Sequence, residues 1–336
     1  MAHLATKRFN YWGQLGILTA FAGVGLIIGG VASLIPLLGK VNLGDLKGAS
    51  STQLMDNILK PENAAVIRWM QFISTLFLFF LPTVFYAWLC HKKPFVHLGF
   101  KKFNAGSAAI VVLIMLAALP MVSSLQDLTE MLPWSKATLL KFKAAEDAYN
   151  EQVAVIARMN GFLDYLISVI VIAFLPAVFE ETLFRGGIQN LLSRWFKMPV
   201  LAILVTAIIF SAFHFSYLGF LSRFALGFVL GWIYYRTGNI WLNIIGHFFN
   251  NAIAITYMYA ATKTGQKMDP SKMDDHFPLW IGLASITVVY VLFILFEKVS
   301  KKEIDMPGAE LPIPGVEYHN NPFLNDPATA DKTTQY

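Results

Sequence analysis

Runs of about 20 apolar residues recur along this chain, and that recurrence limits its fold more than any other feature. A helix needs about 20 such residues to cross the hydrocarbon of a bilayer. Eight segments meet or approach that length, near 13–38, 66–90, 106–124, 162–183, 198–216, 219–236, 239–261 and 277–297. The third is short and the sixth contains Arg223. Backbone in hydrocarbon must satisfy its own hydrogen bonds, so repeated long apolar runs predict helices. The expected fold class is therefore all-α: a polytopic membrane protein of about eight transmembrane helices. Composition agrees, because 56% of the 336 residues are hydrophobic and only 14% are charged, an apolar excess that a soluble core of this length does not need.

Charge placement predicts orientation. Lys7 and Arg8 precede the first run, and "HKKPFVHLGFKKF" (91–103) follows the second. Arg194 and Lys197 follow the fourth, Arg236 the sixth, and Lys298, Lys301 and Lys302 the eighth. All fall on one side if both termini are cytoplasmic, as the excess of Lys and Arg in cytoplasmic loops requires. The net charge of +5 is absorbed by these loops, so no nucleic-acid partner is expected. The first apolar run exceeds the core of a cleaved signal peptide and reads as a retained helix. Cys90 is the single cysteine, which removes any internal disulfide or CxxC motif.

Between the third and fourth runs, 125–161 is too polar to span. Its stretch "SKATLLKFKAAEDAYNEQVAVIARMNGFL" has helical apolar spacing and predicts an amphipathic helix at the outer surface. The expected organisation is a membrane-embedded domain over 1–300, followed by a disordered, proline-studded cytoplasmic tail over 301–336. No internal repeat suggests the inverted halves of a transporter.

Ionisable side chains inside hydrocarbon cost roughly 2.5–3.5 kcal/mol each, so those that occur need a reason. They are Glu180, Glu181 and Arg185 on the fourth run, His214 on the fifth, Arg223 on the sixth and His247 on the seventh, with Asn243 and Asn251 nearby. Glu181 and Arg185 are four apart in the order that favours an ion pair. Glu180 is turned about 100° away and stays free to face something else. Pro176 is expected to kink the helix and open room at membrane depth. In an antiparallel hairpin centred on residue 197, Glu180 and His214 come level. His247 and Asn251 share a face of the seventh helix, but at a level that agrees only if 185–197 projects into the cytoplasm. A structural ion pair is a direct rival reading for Glu181 and Arg185. Arg223 can cap, snorkel or bind lipid headgroups and is assigned no chemistry. Phe-x-x-x-His alone carries little signal in so phenylalanine-rich a chain.

Taken in order, "EETLFR" (180–185), "FSAFH" (210–214) and "HFFNN" (247–251) resemble the Glu-Glu-x-x-x-Arg, Phe-x-x-x-His and His-x-x-x-Asn motifs of the CPBP (CAAX protease and bacteriocin-processing, or ABI) intramembrane glutamic endopeptidases. The resemblance covers about 162–260. It implies hydrolysis of a peptide bond of a membrane-associated protein or peptide within or beside the bilayer. Carried over by position, Glu180 and His214 would activate the attacking water, His247 and Asn251 would bind the developing oxyanion, and Glu181 and Arg185 would support them. No cofactor is implied. A zinc variant would use Glu180, His214 and His247 as a His₂Glu site, although the HExxH spacing is absent. From another class, a non-catalytic bacteriocin-immunity or transporter-like protein also uses buried Glu, His and Arg. The expected location is a bacterial plasma membrane. Nothing in the residues specifies a prenyl group.

Overall fold

The computed structural model describes residues 9–38, 58–263 and 277–304. Among them every regular element is helical, in the order α1 (Tyr11–Ala32), α2 (Ala64–Cys90), α3 (Ala105–Met131), α4 (Lys136–Ile156), α5 (Phe162–Phe196), α6 (Pro199–Ala212), α7 (Phe220–Thr237), α8 (Ile240–Lys263) and α9 (Leu279–Ile304). Lys7, Arg8, residues 39–57 and 264–276 and nearly all of the expected tail lie outside the described residues.

Local sequence explains where the helices start. The side chains of Asn10, Asn104 and Ser135 accept from the backbone N–H of Gly13, Gly106 and Thr138, capping α1, α3 and α4. Helices α2 and α5 each carry a proline, Pro82 and Pro176, and each meets it the same way. A wide π-type turn (Leu76–Phe80 and Val169–Phe174) precedes the proline, and the Leu175 N–H reaches back five residues to the Ile170 carbonyl. Widening the ladder makes room for the ring that an α-helix would expel. The expected kink at Pro176 is thus a π turn, and α5 continues unbroken for 35 residues. At about 1.5 Å per residue it is some 50 Å long, longer than the hydrocarbon is thick.

Five helices, α1, α2, α3, α5 and α9, are long and apolar enough to cross a membrane. Their outward faces identify the solvent: Leu26 is 58% exposed, Ile27 69% and Leu283 67%. Large aliphatics in rows on the outside are stable against lipid, not water. The chain is an all-α polytopic membrane protein. The other three expected spans differ in kind. Helix α6 is apolar but only 14 residues long, while α7 and α8 are interrupted by polar side chains turned inward. The fifth span was expected to reach residue 216. The helix stops at Ala212, and His214 lies in the turn that follows.

Helix α9 packs along α3, α6 along α7, and α8 against α5 and α3. One core joins Val111, Met115, Leu230, Ile233 and Phe296; another joins Tyr86, Leu98, Phe179, Phe184 and Phe210. The basic loops gather at one end. Asn190 donates to the His97 carbonyl, Asn239 to that of Lys102, and the Ile240 N–H to that of Gly99. There Arg194 bonds Asn190 and Gln14, and burial together with that guanidinium holds the His91 imidazole down to about 3. The expected turn at Gly238 has φ 55°, a left-handed conformation that glycine adopts without strain.

Helix α1 approaches the π turn of α2 at Gly25. A Cβ there would stand 2.0 Å from the Phe77 carbonyl oxygen, whereas one at Gly23 would meet nothing. Gly25→Ala should therefore destabilise the protein by about 1–3 kcal/mol. Gly23→Ala should be neutral or slightly stabilising, since alanine is the better helix former. Thermal unfolding in detergent compares the two; equal midpoints would remove the close approach.

Candidate active site

The stretch "EETLFR" straddles the junction where α5 widens into its second π turn, Thr182–Gln189. Glu181 and Arg185 both point into the bundle and are wholly buried. Arg185 Nη1 donates to Glu181 Oε1 at 3.0 Å, which realises the ion pair expected from their spacing. Arg185 Nη2 also donates to the Gly227 carbonyl of α7 at 3.1 Å. The same Glu181 oxygen accepts from His247 Nδ1 on α8, at 2.8 Å. A carboxylate held by a guanidinium can only accept, so the Nδ1 of His247 carries a proton. Its other nitrogen, Nε2, faces Glu180 Oε2 at 3.9 Å. That oxygen is buried and has no hydrogen-bond partner among the described residues.

Glu180 is therefore the carboxylate left over, as the 100° offset required, and its nearest basic group is His247. His214 stands apart from that contact. Its Nδ1 lies 2.9 Å from the Phe210 carbonyl, an acceptor, which leaves Nε2 unprotonated in the neutral ring. Asn251 accepts from Asn250 Nδ2 through Oδ1 at 3.4 Å, and its own amide N–H groups make no hydrogen bond among the described residues. Asn243 has a different task, donating to the Leu230 carbonyl at 2.6 Å and tying α8 to α7.

Glu180, His214, His247 and Asn251 all line one cavity of about 740 Å³. Its walls come from α2, α3, α5, α7 and α8 and the 213–219 turn, and α4 covers it through Glu146, Tyr149 and Val153. The expected amphipathic helix is thus present and closes the end of the bundle opposite the basic loops. The short α6 explains how polar backbone comes to lie here. Fourteen residues rise only about 21 Å, so the irregular turn after Ala212 sits at membrane depth. Such backbone is tolerated there only where it lines a cavity, which it does.

Residues 162–253 match the family model described as "Type II CAAX prenyl endopeptidase Rce1-like". The similarity is confined to that segment. It contains α5, α6, α7 and the first half of α8, and all four cavity-lining candidates fall inside it. A curated relative, the uncharacterized protein YpbD of Bacillus subtilis (strain 168), is 34% identical over 89 residues. The match covers 25% of this chain and 42% of the relative, so the chain spans less than half of that protein's length. No solved structure matches this chain.

Within the Rce1-like segment, sequence reasoning undervalued Phe210. Its ring lies 4.8 Å from that of His214 and 5.9 Å from that of His247, and the Arg185 guanidinium sits 4.9 Å from its centre. One phenylalanine packs against both imidazoles and the ion pair. The signal was its place four residues before His214, a spacing that the turn after Ala212 keeps in contact. The Glu181–His247 bond carried no sequence signal, because it joins helices 66 positions apart. Among the described residues no three His, Cys, Asp or Glu side chains converge in a way that could hold a metal ion.

Proposed function

We propose that this chain is an intramembrane endopeptidase in which Glu180 activates a water molecule that hydrolyses a peptide bond of a membrane-associated protein or peptide. The observation that carries this reading is the unpartnered Glu180 oxygen, 3.9 Å from His247 Nε2 in a cavity shared with His214 and Asn251. Peptide hydrolysis needs a base beside the nucleophile and donors beside the developing oxyanion. Glu180 takes a proton as the water oxygen bonds to the carbonyl carbon, and returns it to the leaving nitrogen as the C–N bond breaks. His214 Nε2 accepts a hydrogen bond from the same water. The amide N–H groups of Asn251 donate to the oxyanion. His247 joins them when its Nε2 carries a proton, and Glu181 and Arg185 hold its ring in place.

The matched family is described as one of CAAX prenyl endopeptidases, and its chemistry is the same hydrolysis. This reading includes no prenyl requirement. Both termini are assigned to the cytoplasm of a bacterial plasma membrane, because 91–103, Arg194 and Arg236 lie at one end of the bundle. The covered mouth under α4 then faces away from the cytoplasm.

The test is cleavage of membrane-anchored peptides by purified protein in nanodiscs, before and after chelation. Cleavage unchanged by chelation is the expected result. Activity that is abolished by the chelator and restored by zinc would replace the glutamate mechanism with the metal variant, and absence of cleavage across a broad peptide library would end the peptidase reading.

A further inference from the structure

Arg223 is a charged side chain of the cavity that the hydrolysis does not use. It sits on the first turn of α7 and is the only lysine or arginine among the described residues lining the cavity. It does not snorkel towards lipid. Its Nη1 is buried and has no hydrogen-bond partner among the described residues. The guanidinium lies over the backbone of Gly219, where an added Cβ would stand 1.9 Å from Nη1, and its Cζ is 5.2 Å from the centre of the Tyr149 ring on α4. Glycine beneath and an aromatic ring beside it hold the cation in place without neutralising it.

The acids of the cavity leave it unpaired. Glu180 faces His247, and Glu146 accepts from the Ser216 hydroxyl at 2.6 Å. Neither forms an ion pair with Arg223. A fixed guanidinium with an idle N–H inside a substrate cavity is a receptor for a carboxylate, whose planar oxygens match its fork.

We propose that Arg223 is a specificity-determining residue that binds a carboxylate of the peptide substrate, from either an acidic side chain or a free C-terminus. The assignment rests on the peptidase reading for the nature of the ligand, but not for the existence of the site.

The experiment measures binding and cleavage of three membrane-anchored peptides in neutral-lipid nanodiscs. One has an aspartate and an amidated C-terminus, one has a free C-terminus and no acid, and one has neither. At least one carboxylate peptide should bind the wild-type protein about tenfold more tightly than the neutral one, a difference of about 1.4 kcal/mol. Which one does so identifies the source. Arg223→Gln, whose planar amide keeps most of the packing, should bring the ratio to about one while leaving binding of the neutral peptide unchanged. Arg223→Lys should keep part of the preference, because it retains the charge without the fork.

Equal binding of all three peptides by the wild type, or an unchanged preference in Arg223→Gln, would overturn the proposal. A preference that depends on Arg223 without any cleavage would keep the site and remove the peptidase reading. Glu180-dependent cleavage without charge preference would do the reverse.

Discussion

Glu180→Gln should leave a folded protein whose cleavage rate is lower by about 10³-fold. Loss of a general base typically costs 10²–10⁴ in rate, and this substitution removes basicity while preserving shape. Glutamine has the same volume and keeps an acceptor oxygen towards His247 Nε2. No hydrogen bond is lost at Oε2, because that oxygen makes none within the protein. Thermal stability should therefore stay at or slightly above the wild-type value, since a carboxylate in an apolar surround is costly. The measurement is single-turnover cleavage alongside an unfolding midpoint. A Glu180→Gln protein that unfolds normally and cleaves at the wild-type rate would remove the proposed base. His214→Ala and Asn251→Ala report on the same cavity through smaller expected losses, because each contributes one hydrogen bond rather than the proton transfer.

The parts of this arrangement that were legible in the sequence are those set by local geometry. Apolar length gave the five long helices. The spacing of four gave the Glu181–Arg185 pair, and the offset of one gave Glu180 its separate direction. The basic loops at 91–103, 194–197 and 236 do gather at one end. What was not legible depends on contacts between distant segments. The hydrogen bond from His247 to Glu181 follows from how α8 packs on α5, and no spacing within either helix specifies it. The early end of α6 is of the same kind. "AFHFSYLGF" carries no formal charge and is still largely apolar, so hydropathy continued the helix to 216. The chain instead turns at Phe213, with Phe215 at φ 52°, and this unwinding places His214 and Gly219 on the cavity wall. Arg223 was assigned no chemistry for the same reason. Hydropathy alone reports a charge in a span, and snorkelling is its cheapest explanation until the cavity beside it is seen.

Arg185 tests whether the ion pair holds helices together, supports catalysis, or does both. The side chain is fully buried and bonds Glu181 on its own helix and the Gly227 carbonyl on α7. Arg185→Ala strands the Glu181 carboxylate in a fully buried site and should destabilise the protein by about 3–5 kcal/mol. Folded yield from membranes should fall accordingly. That result alone does not separate the two roles. The paired change Glu181→Gln with Arg185→Met does, because replacing a buried ion pair by neutral side chains of similar volume is often neutral or stabilising. Folded yield and unfolding midpoint should therefore return close to wild type. The cleavage rate should not. A glutamine can present either its oxygen or its NH₂ to His247 Nδ1, so the ring loses the fixed tautomer that an acceptor-only carboxylate enforces. Losing a supporting partner of this sort typically costs about 10–100-fold in activity. A double variant that is stable but slow would assign the pair to both tasks. One that recovers stability and rate together would leave Glu181 and Arg185 as helix packing alone, with Glu180, His214, His247 and Asn251 sufficient for the chemistry.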